Sequence, residues 1–238
     1  MTTQKKLLIL VDGSERAIHT VDYVKNFMPV GENTRIVLFH VFSGLPKEYR
    51  ELEKEPTCAE AVHQLKNRNM EEKREIRAYL EEAKKILIAG GFPEQSIEVK
   101  FHLLEKGVAR DIIDEARNGY SAVVLRRRGM GALKNLVLGS VAVKLLQSLT
   151  FIPIVIVGPA PPVKKILLAV DASAASMKAV EFVAAFLGGH GYAVCVFHAI
   201  PGLGAVNFDL SEVKQHEPPD VDLSDTGLDA FKLKLARL

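Results

Sequence analysis

The chain reads as α/β: a doubly wound, open parallel sheet of five strands, followed by a partial second copy of the same fold. Three observations predict this. Short apolar runs ending in turn residues alternate with stretches of helical periodicity, as in parallel strands covered by helices on both faces. A basic, glycine-containing loop joins one of these strands to a helix that opens on Gly139-Ser140. Residues 5–40 have an echo that begins at Lys164.

The first βαβ unit is legible at once. Leu7–Val11 is a continuous apolar run that breaks at Asp12-Gly13-Ser14, a central strand entering a turn, with Ser14 placed to cap the next helix. Ala17, Ile18, Val21 and then Val24 or Met28 form a core-facing stripe that Gly31 ends. Arg35–Val41 is the second apolar strand. Residues 44–57 are polar, hold two prolines and read as an irregular connection or a short helical turn. From Ala59 to Ala89 the chain is rich in Glu, Lys and Arg, with Ile76, Leu80, Ala83 and Leu87 spaced four, three and four apart. That is a long amphipathic helix with a solvated charged face, stopped by Gly90-Gly91.

Ile97, Val99, Phe101 and Leu103 alternate strictly, the mark of a strand with one wetter face at a sheet edge. Lys106-Gly107 turns the chain, Val108, Ile112 and Ala116 define a short helix, and Gly119 stops it. Ser121–Leu125 is a buried strand, the helix Val141–Leu149 follows the basic loop, and Pro153–Val157 is the last strand.

Pro159, Pro161 and Pro162 mark a linker, and then the chain repeats itself. Lys164–Ser173 echoes Lys5–Ser14, Ala179, Val180, Val183 and Phe186 echo the first helix, and Val196-Phe197-His198 echoes Leu38-Phe39-His40 after a one-residue deletion. The expected domains are therefore 1–158, a linker 159–163, and an incomplete copy 164–238. In that copy residues 201–227 read as loop, Phe231, Leu235 and Leu238 begin an amphipathic helix, and nothing corresponds to the third, fourth and fifth strands. Half a sheet leaves its central strand with an unpaired edge, an association hazard.

Composition narrows the function classes. The 238 residues are 48% hydrophobic with a formal net charge of +2, enough for one large domain or two small ones. A near-neutral chain argues against nucleic acid as an obligatory partner. The two cysteines, Cys58 and Cys195, form neither a disulfide framework nor a zinc spacing, and a reducing, cytoplasmic setting fits them. The opening apolar run is too short for a signal sequence, and no stretch approaches a membrane span.

The segment Tyr120–Val141 carries the chemistry. Arg126, Arg127, Arg128, Gly129 and Gly131 follow the strand directly, and Gly139-Ser140 starts the next helix. Glycines let the backbone approach an anion, the free N–H groups of a helix start point at it, and arginines add fork-shaped donors. No Gly-Lys-Ser/Thr closes the loop, so it is not a P-loop, and the glycines miss the dinucleotide spacing.

The segment resembles the glycine motif of the universal stress protein family: Gly, two residues, Gly, nine residues, Gly, then Ser or Thr. Gly129, nine residues, Gly139 and Ser140 match it, while the first glycine falls on Arg126. The resemblance also rests on Val11-Asp12-Gly13-Ser14, on Phe39-His40-Val41 and on the Pro153 strand, and it covers residues 3–158 and about half of a second copy. It implies a sheet order of 3-2-1-4-5, with ATP or AMP bound at the carboxyl ends of strands one and four, where the strand order reverses. Asp12 would sit near the ribose and any Mg ion brought by the nucleotide; no metal is bound by the protein alone. Val41 would lie against the adenine through its backbone. Gly129 would shape the loop, and Gly139, Ser140 and Val141 would present N–H groups to the phosphates. Arg126, with Arg127 beside it, would either block the nucleotide or grip its phosphates. The resemblance also implies a homodimer through strand 153–157.

Each residue has a plainer reading beside this one. Asp12 caps its own turn, Ser140 is an N-cap, and His40 and His198 are packed and hydrogen-bonded. Three functions follow: a nucleotide-binding regulatory protein of the stress response, a non-binding dimerisation scaffold of the same fold, or an enzyme. The last has no nucleophile with an adjacent base and no metal cluster to support it, and slow ATP hydrolysis has no assigned general base.

Overall fold

The computed structural model describes residues 5–31, 33–45, 56–127, 139–158, 163–171 and 173–198. Five strands, β1 (Lys5–Leu10), β2 (Thr34–Phe42), β3 (Ile97–Leu103), β4 (Ala122–Arg126) and β5 (Ile154–Val157), form one sheet in the order β3-β2-β1-β4-β5. All neighbours are parallel, with Leu8 level with Val37 on one side and with Val123 on the other. This is the order the family resemblance implies. The chain moves outward from β1 through β2 to β3, then returns to the other side of β1, so a crevice opens between β1 and β4 at their carboxyl ends.

Among the described residues, four α-helices cover the sheet: α1 (Glu15–Phe27), α2 (Ala59–Ala89), α3 (Val108–Ala116) and α4 (Ser140–Ser148). Alternation along the strands divides the core. Leu8, Val37, Phe39, Val123 and Leu125 pack with Ile112 and Ala116 of α3 and with Ala142 and Leu145 of α4. Leu7, Ile9, Ile36 and Leu38 point the other way, are fully buried, and belong with Val21 and Val24 of α1 and Leu80, Ala83 and Leu87 of α2. Burial on both faces is why β1, β2 and β4 read as continuous apolar runs.

The helix α2 spans the residues its pattern predicts, and Gly91 follows it at φ +94, a conformation suited to glycine. Three local expectations need correction. Helix α1 ends at Phe27, before Gly31, because Met28 precedes Pro29 and takes an extended backbone (φ −83, ψ 129). Ser14 occupies the N-cap position but accepts no capping bond; its hydroxyl donates instead to Asp12. Strand β3 does not bury one clean face: Ile97 is buried, Val99 and Phe101 are half-buried and Leu103 is 56% exposed. Its aromatic ring is covered by Lys73 and Arg77 of α2, 5.7 and 5.2 Å from the centroid, so long charged chains replace apolar ones over this edge.

The chain divides after Pro162 into two compact units. In the second, β6 (Lys165–Val170) and β7 (Ala193–His198) form a parallel pair joined by α5 (Ala174–Leu187). Leu168, Val170, Val180 and Val183 make its core. Here Ser173 is a true cap, accepting from the Ser176 amide at 3.1 Å. The expected loop and helix start within 201–238 lie outside the described residues, as do the linker residues 159–162.

Candidate functional site: a cleft at the strand ends

The site begins with β1. Its apolar run ends at Val11, and the next three residues turn the chain into α1. Asp12 holds that turn, its Oδ1 accepting from the Ser14 amide at 3.1 Å and from the Ser14 hydroxyl at 2.6 Å. Gly13 has φ +76, and a Cβ there would meet Ile76 Cγ1 of α2 at 3.2 Å. The turn is therefore pinned beneath α2 and admits no side chain without strain.

Strand β2 brings His40, only 7% exposed, beside the same turn. Its Nδ1 lies 2.7 Å from the Val11 carbonyl oxygen, which can only accept, so the proton is on Nδ1. Burial holds the imidazole below its ordinary value of 6.5, with the Val11 contact and the carboxylates of Asp12 and Glu72 pulling the other way. A neutral ring tying β1 to β2 is the packed, hydrogen-bonded histidine of the plainer reading. The second unit repeats the device: His198 Nδ1 lies 2.7 Å from the Val170 carbonyl oxygen.

Beyond these strand ends is a cleft of about 860 Å³. Leu10, Val41, Val108 and Val141 give it an apolar side, half-buried against the α3–α4 core. Arg126 and Arg127 line it from the end of β4, where the Arg127 amide donates to the Val157 carbonyl and continues the sheet. Gly139, Ser140 and Val141 line it at the start of α4.

That helix start has the geometry for an anion. Gly139, not Ser140, is the N-cap; its carbonyl accepts the first helical bond from Val143 at 3.0 Å. The cap reading of Ser140 is thus corrected: it is the first helical residue, and it is exposed. The amides of Ser140, Val141 and Ala142 come before any intrahelical acceptor, and none is found for them among the described residues. Gly139 itself has φ −63 and ψ 155, open to any residue, so its missing side chain gives room and not torsional freedom.

Of the sequence-predicted site residues, Asp12, Val41, Arg126, Arg127, Gly139, Ser140 and Val141 line this one cleft. Gly129, with the rest of 128–138, lies outside the described residues. Sequence reasoning missed Glu72 and Ile76, which reach the cleft from α2. A signal for them existed in helix length. The 31 residues of α2 run about 46 Å, whereas the nine of β2 cover about 30 Å, so one end of the helix must overhang the sheet.

No group of His, Cys, Asp and Glu suited to a metal ion occurs among the described residues, and no described helix is long and apolar enough to cross a membrane. No hydrogen bond joins His40 to Ser14 among them either; the serine is held by a carboxylate and the imidazole by a carbonyl.

No curated protein matches the chain. Among solved structures it is similar to hypothetical protein MJ0577, a structural-genomics test case, at 25% identity over 67% of this chain and 99% of that one, with a TM-score of 0.47. A universal stress protein from Archaeoglobus fulgidus is 21% identical over 66% of this chain and 95% of its own, TM-score 0.41. A universal stress protein in complex with cAMP is 16% identical over 66% of this chain and 99% of its own, TM-score 0.42. The pattern of the Universal stress protein family matches residues 4–158, which spans the whole five-stranded sheet and the cleft at its strand ends. The chain belongs to the universal stress protein family.

Proposed function

We propose that the first unit binds an adenine nucleotide, ATP or AMP, and acts as a nucleotide-responsive regulatory protein of the stress response, not as an enzyme. The observation that carries this reading is the start of α4: three amide N–H groups without a described acceptor, in a cleft that Arg127 also lines and that has apolar residues packed against the α3–α4 core. Such amides and guanidiniums suit phosphate oxygens, and the apolar side suits a flat base. In this reading Gly139, Ser140 and Val141 hold phosphate through their backbone, Val41 takes the base, and Asp12 faces the sugar and any Mg that arrives with a triphosphate. Gly129 keeps its assignment from the sequence motif. Arg126 stands where nucleotide binders of the family have glycine, so it weakens binding without abolishing it. The protein works in the cytoplasm.

Titration calorimetry with ATP and AMP tests the reading. The expected result is saturable binding that tightens about tenfold or more in Arg126→Gly, as removal of a bulky chain from the phosphate path would produce. Absence of heat in both proteins at high micromolar nucleotide would refute it.

A second reading, a dimerisation scaffold that binds no nucleotide, draws support from a different surface. Val143, Leu146, Phe151 and Ile156 on α4, β5 and the turn between them are 36–41% exposed, a level that suits a homodimer through strand 153–157. Sedimentation together with calorimetry separates the two: dimers without nucleotide binding would favour the scaffold.

A further inference from the structure

Glu72 belongs to no motif of the sequence and lies on a helix whose charges read as solvent-facing. It nevertheless lines the cleft together with Asp12. Its height is set by Ile76, one turn further along the same helix face, which packs on Gly13 in the turn that Asp12 holds. Both carboxylates stand close enough to His40 to act on its imidazole. Two acidic groups thus border one side of the strand ends, while the arginines and the start of α4 border the other.

Ionised carboxylates only accept hydrogen bonds, so a ligand must bring them donors. Asp12 has already committed Oδ1 to two bonds within its own turn, and only Oδ2 is without a partner among the described residues. A nucleotide oriented with its phosphates at α4 and its base on the apolar side carries two sugar hydroxyl donors between them. Glu72 sets a second carboxylate in the same cleft, so each of the two hydroxyls can have an acceptor of its own. We infer that Glu72 determines specificity at this site: its carboxylate takes one sugar hydroxyl while Asp12 Oδ2 takes the other, so the cleft selects ribonucleotides over their deoxy counterparts. This rests on the nucleotide reading above and adds to it a residue from outside the family's motif.

The test measures the affinity of the full chain for ATP, for 2′,3′-dideoxy-ATP and for inorganic tripolyphosphate, in the unaltered protein and in Glu72→Gln. The glutamine keeps the side-chain shape and removes the charge, and unchanged thermal unfolding would show that α2 still packs. The unaltered protein is expected to prefer ATP over the dideoxy analogue by about tenfold or more, the effect of a hydrogen bond to a charged group. In Glu72→Gln that ratio should shrink at least about threefold, with tripolyphosphate no weaker than before. Equal ratios in the two proteins would overturn the inference, including the case in which the glutamate acts only through its charge and shifts both nucleotides alike. Tripolyphosphate and ATP binding without any sugar preference would overturn it and leave an anion site standing. Failure of the unaltered protein to bind any of the three would overturn the nucleotide reading itself.

Discussion

His40 shows how one side chain joins folding to titration. A carboxyl-terminal residue of one strand reaches back to the carbonyl that ends its neighbour, and the same bond recurs at His198 with the separation reduced from 29 to 28 residues. Recurrence in both units marks the bond as part of the fold. Because burial keeps His40 below 6.5, the folded protein binds fewer protons than the unfolded chain between the depressed value and 6.5. Stability is therefore complete above 6.5, falls as pH drops through that window, and levels off below it. Carboxylates held below their ordinary range in the fold, Asp111 and Glu115 among them, where burial is outweighed by hydrogen bonds from the Glu105 and Lys106 amides and from Lys100, act at more acidic pH than the histidine. Urea unfolding from pH 7 to pH 5 should show the decline, and His40→Gln should flatten it while costing about 1 kcal/mol at pH 7 for the lost bond. An equal or steeper decline in the variant would contradict this account.

Two helices carry the site, and they differ in what sequence reveals. Helix α4 announces itself through Gly139-Ser140 and its apolar repeat, and its first residues line the cleft with amides that find no acceptor among the described residues. Since Gly139 needs no special torsion, Gly139→Val should fold normally, lose no more than about 1 kcal/mol of stability, and bind nucleotide at least tenfold more weakly by filling the space at the helix start. Calorimetry beside thermal unfolding checks both halves. Helix α2 had legible ends and a legible stripe, yet its role at the cleft was hidden. Periodicity reports which residues face the core; it does not report which charged residue hangs over a strand end, as Glu72 does. The same limit applies to capping. Ser14 and Ser173 occupy equivalent places in the repeat, but one donates to its aspartate and the other caps its helix, a choice made by local geometry. The strands were readable because each is an apolar run between turn residues, and their order followed from the family resemblance, whereas the partial exposure of β3 depends on Lys73 and Arg77 arriving from a helix far away in sequence.

The five-stranded unit derives its crevice from topology: β1 and β4 run parallel, but the connections that leave them go to opposite sides of the sheet, and their carboxyl ends leave a gap lined by residues of α4 and α2. The second unit repeats the β-α-β opening of the first, down to the histidine bond, and we propose that it is a partial copy. Its sheet positions nevertheless differ in cover: Leu167 is 68% and Phe197 54% exposed, whereas Leu8 and Phe39 at the matching places are 0% and 1% exposed. Among the described residues, the helix start that would face phosphate occurs in the first unit alone. Amide chemical shifts recorded while AMP or ATP is titrated into the full chain address this most directly. The account predicts saturable shifts in the Ser140, Val141 and Ala142 amides and none at Ser173–Met177. Unmoved amides at 140–142, with nucleotide bound or not, would contradict it.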